Sequence, residues 1–285
     1  MITILDASGF ERLLATASDR GSVVFDLSQL KFVKPHGTVA LLLLLVHLRA
    51  MNRRVTIRPP VNLKVVDYLK DVGFFLEARN LAYFDELPPE YFSTDFEPRE
   101  TMQVVTRIRT HQDVRPISDR FAYYLEQDLR FSKELVDEMW AVMVEMIENV
   151  PHHAYPGVFR GPVREGFVNM QYLPNVKKLY FSVGDLGVGI RGSLEGQGVV
   201  AYSMNSDAEV IRKVMESQRL SSLGRKRGGG INVTALKVKE FGGWMAIRSD
   251  TGYVVQNPRG VFTSFDNLRN LPGTQVSIHI PARPL

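Results

Sequence analysis

Leu179-Tyr-Phe-Ser-Val-Gly-Asp185-Leu-Gly187-Val-Gly189-Ile190 is the stretch on which the reading of this chain turns. An apolar run of strand length ends on a carboxylate and passes at once into an Asp-x-Gly-x-Gly turn. The glycines let backbone approach a ligand with no Cβ in the way, and Asp185 can accept from an amino group. Such a turn, taken alone, is most often a hairpin; its neighbours along the chain give it meaning. Upstream, Ser132 caps a helix read over residues 133–149, with Leu135, Met139, Val142, Met146 and Val150 on one apolar stripe. On that helix Glu145 and Asn149 lie four apart and share a face, where a carboxylate and a carboxamide can hold a water and a cation together. Downstream, Arg225-Lys-Arg-Gly-Gly-Gly230-Ile-Asn-Val-Thr-Ala-Leu236 is a basic, glycine-rich loop running into a helix. Its backbone N–H groups and the helix dipole make that junction a phosphate cradle.

Together and in this order, the three segments resemble the ATP-binding domain shared by gyrase B, Hsp90, MutL and sensor histidine kinases, the GHKL or Bergerat fold. Glu145 to Asn149 looks like its N-box, Asp185 to Gly189 its G1 box, and Gly228, Gly229 and Gly230 its G2 box. Leu271-Pro-Gly273-Thr274-Gln-Val-Ser-Ile-His-Ile-Pro281 looks like its closing strand. Within that superfamily the chain is most similar to the bacterial anti-sigma-factor kinases, whose N-box pattern Glu145, Asn149 and His153 match. The resemblance implies Mg²⁺ held by Asn149 and a water or hydroxyl oriented or deprotonated by Glu145. It implies an adenine amino group bound by Asp185 with Thr274 beside it, and a base pocket lined by Gly187 and Gly189. Gly228, Gly229 and Gly230 would wrap the phosphates. Residues 191–227 would form a lid, with Arg225, Lys226 or Arg227 as the phosphate contact. Pro151 lies two residues beyond Asn149, where a proline opposes helix, so the helix is expected to end there and His153 to be less firmly placed.

The first half of the chain alternates strand and helix signals: strands at residues 22–26, 30–33 and 53–58, helices at 39–48 and 63–69. Leu63, Val66 and Leu69 are expected on one buried face, and the 39–46 run is read as a helix buried on most sides. Pro35-His-Gly37 reads as a break. The pattern over about 75 residues resembles a STAS domain, the fold of anti-sigma-factor antagonists. In those proteins a phosphorylatable serine sits in an Asp-Ser-Ser-Gly turn. Here that turn reads Lys34-Pro-His-Gly37, with neither serine nor acid, and Thr38 is the substitute hydroxyl nearest to it.

Residues 86–101 are acidic, proline-containing and aperiodic, and read as a linker. The expected organisation is a STAS-like α/β domain over 1–90, a linker and leading strand over 91–114, and a GHKL α/β sandwich with a mixed sheet over 115–285. In that second half, strands are read at 102–108, 167–173, 179–183, 243–248 and 275–280, and Ser118 is read as a helix cap.

The 285 residues carry 45% hydrophobic side chains, enough to bury a core in each half, so wholesale disorder is excluded. With no cysteine, a disulfide scaffold, a zinc ribbon and a cysteine nucleophile are excluded as well. The net charge of +4 is mild: it is compatible with anionic ligands but does not by itself argue for nucleic acid, which is not expected as a partner. The amino terminus has no signal-peptide pattern and the longest apolar run is far short of a span, so a cytoplasmic protein away from membranes is expected. His111-Gln-Asp-Val-Arg-Pro116 echoes a histidine-kinase phosphoacceptor box, but Asn149 follows only 38 residues later, too few for dimerisation helices. His111 is therefore read as a loop histidine. Adjacent His152 and His153 point apart on a helix and are not read as a metal pair.

Two function classes stand. One is a Mg²⁺·ATP-binding regulator with slow hydrolysis or Ser/Thr protein phosphorylation. The other is a nucleotide-switched protein-binding module with little turnover. Either would take a protein partner through the STAS-like half, and a homodimer is compatible with both.

Overall fold

The computed structural model describes residues 2–18, 21–93, 100–153, 165–196, 204–217 and 230–285, the His153 side chain excepted. The chain opens with β1 (Ile4–Leu5), α1 (Ala7–Ala17), β2 (Val23–Asp26), β3 (Phe32–Val33) and α2 (Pro35–Ala50). It continues through β4 (Val55–Arg58), α3 (Leu63–Asp71), α4 (Phe74–Ala78) and β5 (Tyr83–Phe84). β1 pairs with β3, and β2–β4–β5 form a second small sheet; every pairing in both is parallel.

Helix α2 is apolar all round, with Leu41, Leu42, Leu43, Leu44 and Leu45 all essentially inaccessible. A helix without a polar face must be covered on every side. Pro35 does not break the chain but starts this helix, because at the first position its missing N–H has no partner to lose. Thr38 thus becomes a fully buried helical residue with 0% exposure, neither a cap nor an accessible hydroxyl. On α3 the buried residues are Val65, Val66 and Leu69, while Leu63 at the first position is 68% exposed.

After a 3₁₀ turn (Pro89–Phe92), the second half is built on β6 (Met102–Ile108), α5 (His111–Tyr123), α6 (Lys133–His153), β7 (Gly166–Leu173) and β8 (Lys178–Asp185). Then come α7 (Gly189–Glu195), α8 (Asp207–Glu216), α9 (Gly230–Glu240), β9 (Trp244–Asp250), β10 (Gly252–Gln256), β11 (Phe262–Phe265) and β12 (Leu271–Pro281). Seven strands form one sheet in the order β11-β10-β9-β12-β8-β7-β6.

The sheet is not the mixed one expected from the sequence: every pairing in it is antiparallel. The physical reason lies in the connections. Two helices, α5 and α6, return the chain to the end of the sheet it left, so β7 runs opposite to β6. β8 and β9 are parallel to each other, but β12 inserts between them and pairs antiparallel with both.

Ser118 does not cap a helix. Thr110 and Asp113 form a capping box that starts α5 eight residues earlier, and buried Ser118 donates its hydroxyl to the Val114 carbonyl. His111 consequently opens a helix rather than lying in a loop. α6 does not stop at Pro151 but runs to His153, its last turn fastened by a 2.8 Å contact from the His152 ring to the Glu148 carbonyl. α5, α6, α8 and α9 bury one face of the seven-stranded sheet, and α2 packs on the other, against β7, β8 and β12. The architecture is mixed α/β.

Candidate functional site

Strand β8 delivers Asp185. Leu179, Phe181 and Val183 face the helical layer, and the two-residue period puts Asp185 on the same side at the strand's end. It is buried at 4% exposure. Burial pushes its carboxyl up to about 7, the Gly187 and Thr274 amides pull it back, and the Asp250 charge raises it. Gly187 N–H donates to Asp185 Oδ1 at 2.7 Å. Thr274 lies opposite Ser249 on β9, and the Ser249 hydroxyl ties the turn together. Ser249 Oγ accepts from Ile190 N–H at 2.9 Å, donates to the Gly273 carbonyl at 3.1 Å and lies 3.5 Å from Thr274 Oγ1.

Gly189 has φ +69°, and a Cβ there would run into the Asp250 carboxylate. Only glycine meets both conditions, so the second glycine of the Asp-x-Gly-x-Gly turn answers to backbone geometry and close approach together.

Helix α6 brings in Glu145 and Asn149, both half-buried. Its Val150 packs on Gly166, the cross-strand partner of Asp185. At Gly230, the first residue of α9, the place of a Cβ is filled by the Glu145 carboxylate. The start of α9 therefore abuts Glu145 directly. Burial first, then the neighbouring Glu148 charge, raises the Glu145 pKa, with His152 acting the other way.

Among the described residues, Asp185, Gly187, Gly189 and Thr274 thus gather at the β8–α7 turn and Glu145 meets Gly230, while Asn149 stands on α6 next to Val150, which packs on Gly166 opposite Asp185. Arg225, Lys226, Arg227, Gly228 and Gly229, and the side chain of His153, lie outside the described residues.

Two carboxylates escaped the sequence reading. Asp250, at φ +52°, faces Gly189, and burial with the Asp207 charge pushes it up to about 6. Asp207 pairs with Arg191 at 2.7 Å and accepts from the Thr251 N–H at 3.1 Å and its hydroxyl, clamping α8 to the β9–β10 turn. The signal was Asp250-Thr-Gly252, a hairpin turn between apolar runs.

No family model matches this chain, and no curated protein matches it. Among solved structures it is similar to a chain of the SiaB-SiaC complex from Pseudomonas aeruginosa. That likeness has 13% identity and a TM-score of 0.36, covering 69% of this chain and 99% of that one. Among the described residues, no helix is long and apolar enough to cross a membrane.

Proposed function

We propose that the chain binds Mg²⁺·ATP between α6, the β8–α7 turn and the start of α9, and couples nucleotide state to a protein partner. The observation that carries this reading is a buried Asp185 at the end of β8 with Glu145 and Gly230 in contact at the far side of the same junction. A buried carboxyl that already accepts from the Gly187 and Thr274 amides suits an adenine amino group as a further donor. The helix start at Gly230 suits phosphate. Asn149 is the residue to hold Mg²⁺, which when bound would neutralise the phosphates. Glu145 has a carboxyl whose affinity for protons burial has already increased, as a general base for water or a Ser/Thr hydroxyl requires.

The division of labour we infer has residues 1–90 as the regulatory, STAS-like part and residues 115–285 as the nucleotide-binding part. One observation favours the binding-module reading over phosphorylation within the chain: Thr38, the hydroxyl nearest the turn that carries serine in antagonists, has no exposed surface. A transferred phosphoryl group would then go to another protein.

Calorimetric titration with ATP and Mg²⁺, followed by assay of released ADP, tests both readings. Wild type is expected to bind, and Asp185→Asn to lose at least tenfold in affinity, about 1.4 kcal/mol. Glu145→Ala should bind yet release no ADP. Turnover in neither protein, with ATP still bound, selects the binding module. No ATP binding by wild type overturns the reading altogether.

A further inference from the structure

We propose that His111, Glu148 and His152 form a binding site for a divalent transition-metal ion, for which zinc is the fitting probe. One candidate ligand atom from each side chain falls within 4.8 Å of the other two. Glu148 and His152 stand four apart on α6 and so share a face. His111 opens α5 beside them, its ring centroid 4.2 Å from that of His152. The sequence sets His153 aside as a partner for His152, and nothing local in it points to the one supplied by another helix.

The donor set is specific. Two imidazoles and one carboxylate suit zinc and its first-row neighbours rather than Mg²⁺ or Ca²⁺, which prefer all-oxygen shells. A second, independent feature points the same way. His152 Nδ1 lies 2.8 Å from the Glu148 carbonyl oxygen. A carbonyl only accepts, so in the neutral ring Nδ1 carries the proton and Nε2 keeps the lone pair that a metal needs. Metal-ligating histidines are held in this way, their second ring nitrogen bonded to a carbonyl or carboxylate that fixes tautomer and orientation.

Ligand atoms on a common tetrahedral zinc lie about 3.4 Å apart, given bond lengths of about 2.1 Å. The three candidate atoms would have to draw in to that spacing from within 4.8 Å; His111 is exposed and Glu148 and His152 are half-buried, so the site is open to entry from solvent. Three protein ligands leave the fourth tetrahedral position to water or an incoming donor. The ion would pin the start of α5 to the end of α6, one residue from Asn149, without using Asn149 or Asp185. The proposal therefore stands or falls apart from the ATP reading.

The test is a zinc titration of the untagged, metal-stripped full chain against a chromophoric chelator, without nucleotide, at a fixed pH of about 7.5, because metal binding releases protons from its ligands. Wild type should take up one zinc per chain, undisplaced by a large excess of Mg²⁺. His111→Ala and His152→Ala should each weaken zinc at least tenfold, and Glu148→Gln should weaken it too. Zinc should raise the thermal midpoint of wild type and leave that of the double histidine variant unchanged, its metal-free midpoint serving as the check on folding. Zinc affinity unaltered by both histidine substitutions, or no uptake at micromolar zinc, overturns the proposal. A parallel ATP titration of the same protein separates this failure from failure of the nucleotide reading.

Discussion

Asp185 has an acidity set by where β8 ends rather than by its own chemistry. Its carboxyl is raised to about 7, whereas an unfolded chain would hold it at the ordinary aspartate value of 3.8. Between those values the folded protein keeps a proton that the unfolded chain has released, so stability is fully present at low pH and declines as pH rises through 7. Asp185→Asn removes this decline while keeping the shape of the side chain. Between pH 5 and 8, urea unfolding should show wild type losing about 3 kcal/mol relative to the variant, from a slope of about 1.4 kcal/mol per pH unit for one proton over the two units up to pH 7. Equal pH profiles would mean that Asp185 is ionised in the folded state. At Gly189 the expected outcome is simpler. Gly189→Ala forces a left-handed backbone on alanine and drives its methyl into Asp250, and should cost at least about 1 kcal/mol in the same assay. The sequence made Asp185, Gly189 and Glu145 conspicuous because each lies in a short local pattern. It did not show Asp250, whose role depends on β9 ending beside the β8–α7 turn. Nor did it show His111 against His152, a pairing made only when α5 folds back along α6.

Elements were legible where one force decided them. The all-apolar α2 could only be a covered helix, and its place between the small parallel sheet and the seven-stranded one follows. The helix over 133–149 was read from its stripe, and its extension past Pro151 was not, because the 2.8 Å side-chain bond from His152 to Glu148 lies outside any propensity. Ser118 misled because serine is a strong cap signal, yet a Thr110–Asp113 box upstream satisfies the helix start first. β10 and β11 are not legible as strands because both are short and β11 buries no residue. α2 also carries a prediction of its own. Leu43 has no exposed surface and its Cδ1 reaches the Cβ position of Gly184, the residue before Asp185. Truncation there opens a cavity behind the strand that delivers the carboxylate. Leu43→Ala should destabilise the protein by about 3 kcal/mol, within the usual range for a buried leucine. On the proposed pocket it should also weaken ATP more than Leu69→Ala, the same truncation of a buried leucine in α3.

The two halves of the chain are joined by more than a connection. Met102, Val105, Phe167, Leu186 and Leu271 come from the second half, yet they bury in the core formed by α1 to α4. Tyr91 and Phe92, read as linker, pack edge-on against Phe75. Polar bridges accompany this shared core: Arg107 with Glu77 at 2.8 Å, Tyr68 hydroxyl to Gln171 at 3.2 Å, and Arg248 with Glu11 at 2.8 Å. Composition marked a division near residue 90, but the contacts across it were invisible. Glu11 and Arg248 stand 237 residues apart, and no local pattern relates them. A shared core makes the halves thermodynamically dependent, since unfolding either one exposes apolar surface of the other. Calorimetry of the whole chain should therefore give a single transition with matching calorimetric and van't Hoff enthalpies; two separated transitions would show that the shared core couples nothing. The ion pair sharpens the test. Arg248 is only 6% exposed, so Glu11→Ala leaves a guanidinium buried without its carboxylate, a loss of about 2 kcal/mol. Because Glu11 lies on α1 and Arg248 on β9, that loss should lower the one transition as a whole. A variant that shifted only part of the melting curve would place the boundary of cooperativity between the halves, where the sequence alone had put it.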